Sequence, residues 1–328
     1  MHFRTEIPIT QNSEKISLHT PVLTIGSCFA EVIGQKLIDT KISALANPFG
    51  TVFNPLSITK LLRQALLYQL PDDALYLENQ GISFHYDFHS SWWAATQEEL
   101  KAQLTQQLHQ VRDRLLSAKW LIITLGTAYV YRELTAGHIV ANCHKMPNKQ
   151  FRKELLPLQT ITEDFRQLYA LLRAANPAIR IILTVSPVRH TRDTLPLNAV
   201  SKSILRVACH ELSESLEMVS YFPAYELLLD DLRDYRFYKS DLIHPNEMAE
   251  EYIFQKFSEA YFDHSLKQFT KEWQKMRQEM AHRPQQPNTA AHRSFLENLL
   301  KKLQMISGTV GVDAELDAIQ QQLQAIKY

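Results

Sequence analysis

Pro21-Val22-Leu23-Thr24-Ile25-Gly26-Ser27-Cys28-Phe29-Ala30 is the stretch from which the fold can be read. Pro21 to Ile25 is an apolar run, and Gly26 ends it. Phe29, Val32, Ile33 and Leu37 then recur at helical spacing. Strand, tight turn and helix in that order open an α/β unit.

The same alternation continues along the chain. Asn54-Pro55 marks the start of a helix over 57–68. Leu100, Leu104, Leu108, Val111 and Leu115 form one stripe of a helix over 98–117. Trp120 to Leu125 is apolar almost throughout, as suits a strand buried on both faces of a parallel sheet, and Gly126 ends it. A helix over 162–175 stops at Asn176-Pro177. A second buried strand over 179–185 stops at Ser186-Pro187. A helix over 199–218, a short strand over 219–222 and a helix over 246–261 complete the pattern. This alternation implies α/β class: a three-layer α/β/α fold around a doubly wound parallel sheet. Crossovers in such sheets are right-handed, and sites lie at the carboxyl ends of the strands. Ser27 and Gly126 occupy such positions.

After His264 the chain becomes more polar. A helix over 265–281, a linker at 282–288 and two further helices separated at 307–311 are expected. The expected organisation is a catalytic domain over 1–264 and a helical C-terminal extension over 265–328, packed on the core or on a partner.

Composition narrows the function classes. A chain of 328 residues can bury a large core without disulfides or metal. Lys+Arg and Asp+Glu are both 35, so net charge gives no push toward nucleic acid or anionic membrane. The three cysteines, Cys28, Cys143 and Cys209, are odd in number and widely spaced, which argues for reduced thiols. The first residues, Met1 to Glu6, lack a signal-peptide pattern, and no apolar run approaches the ~20 residues of a membrane helix. The expectation is a cytoplasmic protein without nucleic-acid or membrane partners.

Two short motifs carry chemistry. Ser27 stands between a buried strand and a helix, where free N–H groups and the helix dipole favour negative charge. Acyl transfer needs a nucleophilic oxygen with such donors nearby. Taken alone, the Gly-Ser pair reads more readily as a helix cap. Phe29 stands where the second glycine of a Gly-x-Ser-x-Gly elbow belongs, so this is not that motif. Asp241 and His244 are three apart on one loop. The carboxylate can hold the imidazole Nδ1–H and leave Nε2 as a base. Alone, that spacing also fits a turn capped by Asp241.

Together they carry more. An early serine after the first strand and a late Asp-x-x-His before the last core helix resemble the SGNH (GDSL-like) hydrolase layout. Gly26-Ser27-Cys28-Phe29-Ala30 resembles most closely the motif that names the GSCFA family. Further matching segments are Asn47-Pro48-Phe49-Gly50, Asn54-Pro55, Gly126 to Tyr131, Asn142-Cys143-His144-Lys145, Ser186 to His190, and Asp241 to Pro245. The likeness runs from about residue 20 to 262. It implies a flavodoxin-like α/β/α fold and an esterase acting through acyl-serine. Ser27 would be the nucleophile, His244 the general base and then acid, and Asp241 the group that orients His244. The substrate implied is a small-molecule or carbohydrate ester. An O-acyltransferase on a sugar, or a binding protein on a retired hydrolase fold, are the alternatives.

The oxyanion donors depart from the wider pattern. Gly50 matches the expected glycine. Gly126-Thr127-Ala128 aligns with a Gly-x-Asn segment but lacks the asparagine. Asn142, Asn47 or the Thr127 hydroxyl are candidate substitutes. Losing one such donor costs about 2.7–4 kcal/mol of transition-state stabilisation. His144 and Arg189 are candidates for substrate contact, against a plain reading as solvated loop charges. Cys28 reads as a packed thiol. Cys143, His144 and His138 do not complete a metal-ligand set, so no metal or cofactor is expected.

Overall fold

Strands form where the chain is apolar on both faces, and helices where it is apolar on one. The computed structural model describes residues 4–326. In chain order the elements are β1 (Val22–Gly26), α1 (Cys28–Asp39), β2 (Ala44–Ala46), α2 (Pro55–Leu66), β3 (Tyr76–Asn79), β4 (Ile82–His85), α3 (Gln97–Ser117), β5 (Trp120–Leu125), β6 (Tyr129–Glu133), β7 (Ile139–Val140) and β8 (Phe151–Leu155). They continue with α4 (Leu158–Ala175), β9 (Arg180–Val185), α5 (Leu195–Ser215), β10 (Val219–Tyr221), α6 (Ala224–Glu226, continuing into a π-helical turn Leu227–Leu232), α7 (Glu247–Tyr261), α8 (His264–Ala281), α9 (Ala290–Ile306) and α10 (Asp313–Ala325).

The central sheet has the order β10-β9-β5-β1-β2, and every pairing in it is parallel. Counting only these five strands along the chain gives 2-1-3-4-5, the doubly wound order in which the winding reverses beside the first strand. The reversal falls at the carboxyl ends of β1 and β5, the place where sheets of this order commonly bind ligands. Successive strand residues point to opposite faces. Leu23, Ile25, Leu121, Ile123, Leu183 and Val185 face one layer built from α2 to α5. Val22, Trp120, Ile122 and Ile182 face the other layer, built chiefly from α1 and α7. Each fully buried aliphatic side chain stabilises by about 1.5–3 kcal/mol, which fixes the register of all three long strands. The three-layer α/β/α architecture is the expected one.

Two additions were not expected. A β3–β4 hairpin turns through Gln80 and Gly81, both at positive φ (55° and 76°). An antiparallel sheet of order β7-β6-β8 follows β5. Several helices also start earlier than the apolar spacing showed: α4 begins at Leu158 and α5 at Leu195.

The C-terminal helices have a core of their own, with Trp273, Met276, Leu296, Leu299, Leu303 and Ile319 buried together. They dock against the end of α1. Trp273 Nε1–H donates to Asp39 O at 2.7 Å. Lys41 lies 5.0 Å from the Trp273 ring centre and pairs with Glu315 at 2.6 Å. Among the described residues, no helix is long and apolar enough to cross a membrane. Cys28, Cys143 and Cys209 are free thiols.

Candidate active site

The turn after β1 is fixed from three sides. Gly26 has φ +136°, and a Cβ there would lie 2.1 Å from Thr124 O, so the position admits only glycine. Gly26 N–H donates to Asn47 Oδ1 at 2.9 Å, and Ser27 N–H donates to Thr124 O at 3.0 Å. Ser27 caps α1: its Oγ accepts from Phe29 N–H at 3.3 Å, and the residue is fully buried. The observed cap and the expected nucleophile are therefore the same residue.

The second motif is on the loop before α7. Asp241 Oδ2 lies 2.7 Å from His244 Nδ1, and Oδ1 accepts from Ile243 N–H at 2.9 Å and His244 N–H at 3.0 Å. The His244 and Ile243 N–H groups, and then the imidazole, hold the Asp241 carboxyl down at about 2. Carboxylate and imidazole are 43% and 41% exposed. Lys239 N–H donates to His244 O at 2.8 Å, and Asn246 caps α7 by accepting from Ala249 N–H at 3.1 Å. Arg189, on the segment after β9, steadies this loop. Its N–H donates to Ile243 O at 3.3 Å, its guanidinium donates to Leu242 O at 3.4 Å, and it lies 4.1 Å from the Tyr238 ring centre.

Several of the expected oxyanion groups are engaged within the protein, whereas Asn47 Nδ2 is buried without a hydrogen-bond partner. Gly50 N–H donates to Asn47 O at 2.8 Å, while Gly126 and Thr127 N–H donate to Phe53 O at 2.8 and 3.1 Å. The Thr127 hydroxyl pairs with Ser201 Oγ at 3.0 Å. Asn142 Oδ1 accepts from His144 N–H at 2.8 Å. His144 is not a solvated loop charge. It is buried, its Nε2 lies 2.9 Å from His85 O, and it stacks on Phe84. Burial pulls its pKa down to about 4, so the ring is neutral. The bonds of Asn142 and His144 thus go to the β4 region and not to the Ser27 turn. Among the described residues, no hydrogen bond joins Ser27 Oγ to His244.

The GSCFA family matches residues 21–257, and the GSCFA C-terminal domain matches residues 273–325. This chain belongs to the GSCFA family. No curated protein matches it. Among solved structures, a Streptococcus pneumonia protein provisionally named a platelet activating factor aligns with a TM-score of 0.39 and 11% identity, covering 73% of this chain and 83% of its own.

Each residue of the GSCFA motif has a physical task here. Gly26 lets the backbone pass Thr124, and Ser27 caps α1. Phe29 and Ala30 are buried in the α1 layer, where Phe29 joins the second core. Cys28 is half-buried, and burial raises its pKa while the charge of Lys202 opposes the rise. Lys202 is a residue of this GSCFA chain that motif reading does not reach. Its Nζ donates to Gly126 O and to Ser186 O, both at 2.7 Å, from a fully buried position on α5. Beside it, Ser201 Oγ accepts from Ala128 N–H at 2.8 Å. The signal was periodicity: Ser201 and Lys202 share a helical face with Leu205, Cys209 and Leu212, so they had to be buried.

Proposed function

We propose that this protein is a serine esterase of the SGNH (GDSL-like) type, acting through an acyl-Ser27 intermediate. The observation that carries the reading is the 2.7 Å contact between Asp241 and the His244 Nδ1 edge, with the carboxylate fixed by two backbone N–H groups. That contact selects the tautomer with Nε2 as base. Ser27, at the carboxyl end of β1 beside the winding reversal, is the nucleophile this base serves.

In the proposed reaction His244 Nε2 takes the Ser27 proton as Oγ bonds to the acyl carbon. The carbonyl π pair moves onto oxygen. Collapse of that adduct breaks the ester C–O bond, and His244 returns the proton to the departing alcohol. Water then repeats the steps on the acyl-serine. Asp241 orients the ring and stays ionised throughout. We assign the alcohol side to a carbohydrate: the exposed Tyr235 ring, 5.3 Å from the Arg189 guanidinium, offers a flat face beside the base loop. The three free thiols suit a reducing compartment, and we assign the protein to the cytoplasm.

A second reading, a binding protein on the same fold, is favoured by the full burial of Ser27 and the engagement of the Gly50, Gly126 and Thr127 N–H groups. One experiment separates the two. A fluorophosphonate should label Ser27 in the wild type, and p-nitrophenyl acetate hydrolysis should fall by about 10³-fold or more in Ser27→Ala and His244→Ala with circular dichroism unchanged. No label, with equal hydrolysis in all three proteins, would discard the esterase in favour of the binding protein. Acyl transfer to an added sugar in preference to water would make the enzyme an acyltransferase.

A further inference from the structure

Helix α5 sends one cation across the end of the sheet. The two carbonyls that receive Lys202 Nζ, Gly126 O and Ser186 O, terminate β5 and β9, each at 2.7 Å. The side chain is 1% exposed, and among the described residues no carboxylate pairs with it. Neutral carbonyls satisfy N–H groups without cancelling the charge, so the ammonium is costly to bury unless an anion forms nearby. The groups its charge acts on come from three elements. They are Cys28 on α1 and His190 on the segment after β9, through the electrostatic influence of Lys202, and Tyr225 on α6, whose ring centre lies 5.9 Å from Nζ. His190 Nε2 is buried without a hydrogen-bond partner, and burial followed by the Lys202 charge keeps that ring neutral, at about 4. The residue of α1 on which the Lys202 charge acts is Cys28, next to Ser27 at the positive end of the helix.

We propose that Lys202 is a positioning residue that clamps the carboxyl ends of β5 and β9 and provides the positive potential for an oxyanion formed at Ser27. The identity of that anion rests on the serine reading, whereas the clamp and the charge do not. Lys202 holds the same Gly126-Thr127-Ala128 segment in which the side-chain donor is missing, so a buried charge stands in for a hydrogen bond. It does not touch the substrate.

Burial lowers Lys202 to about 7, so its charge fades as pH rises through neutrality. The test is the rate of fluorophosphonate labelling at Ser27, followed from about pH 5 to about pH 9 in wild type, Lys202→Met and Lys202→Arg. The wild-type rate should rise and then fall above about pH 7. Lys202→Met should be at least about tenfold slower and show no alkaline fall. Lys202→Arg keeps its charge at every pH, so it should retain the rate and lose the fall. A wild-type rate that climbs steadily to the alkaline end overturns the proposal. Should Lys202→Met fail to fold by circular dichroism, the wild-type and arginine profiles decide the matter.

Failure of any form to label means that the serine reading has failed, and Lys202 is then judged on Cys28. Alkylation of Cys28 by iodoacetamide near neutral pH should be severalfold slower in Lys202→Met than in wild type, or faster in Lys202→Arg if the methionine protein does not fold. Equal rates would end the proposal on this arm.

Discussion

The Ser27 turn and the Asp241–His244 loop are held in opposite ways. The turn is buried and tied to β5 and to Asn47 by backbone and side-chain bonds. The Asp241 and His244 side chains of the loop are each about two-fifths exposed, and the loop is held mainly by its own carboxylate and by Arg189. On the proposed serine reading, the sheet fixes the place of reaction, while the direction of the base depends on local polar contacts. Polar contacts in water are individually weak, so the loop is the part that single substitutions should disturb functionally. The turn is the part where they should disturb folding.

Three substitutions put this contrast at risk. Asp241→Asn removes the acceptor that selects the His244 tautomer, and kcat should fall by about 10³–10⁴-fold while the thermal midpoint barely moves. A large loss of stability with little loss of rate would reverse the assignment. The sign of the pH effect is also set. The Asp241 carboxyl is depressed from 3.8 to about 2 in the folded protein. Its contribution is thus fully present above the unfolded value and is lost as pH falls through the folded one. A pH–rate profile between about 4 and 9 should contain no step from this group, and an acid step that disappears in Asp241→Asn would contradict that.

Gly26→Ala should act on stability instead, by roughly 2–4 kcal/mol, because the new Cβ meets the Thr124 carbonyl and the backbone is left-handed there. Urea unfolding measures it, and a change below about 0.5 kcal/mol would show that the turn can relax. The smallest effect is expected at the far end of the loop. Asn246→Ala removes the α7 cap and should cost about 1 kcal/mol, read in the same titration. A larger loss of rate than of stability in that variant would mean that the cap also aims His244.

The sequence disclosed what burial on both faces makes obvious. β1, β5 and β9 are mostly apolar, and their ends located Ser27, Gly126 and Ser186. The short strand β2 is only Ala44-Leu45-Ala46, too brief for periodicity to register. β6 and β8 carry Arg132, Glu133, Arg152, Lys153 and Glu154, so they read as loop until they pair with each other. Gln80-Gly81 was a readable hairpin signal that the weak alternation of its flanks obscured. At the site, the Asp241–His244 spacing was informative because three residues of one loop can fix it. Donor engagement was not, since it depends on Phe53, Asn47 and Ser201 arriving from elsewhere in the chain. His144 was misleading for the same reason: a titratable residue type says nothing about burial until an aromatic cluster such as Phe84 and Tyr86 encloses it.

The two outermost strands of the central sheet, β2 and β10, are three residues each. Either flank therefore exposes only about 10 Å of unpaired backbone, beside a middle almost twice as deep. A neighbouring chain seeking to extend the sheet would find too few rungs to hold. Concentrated preparations should accordingly resist growth by strand addition, and aggregation on partial unfolding should wait until the interior strands themselves come free.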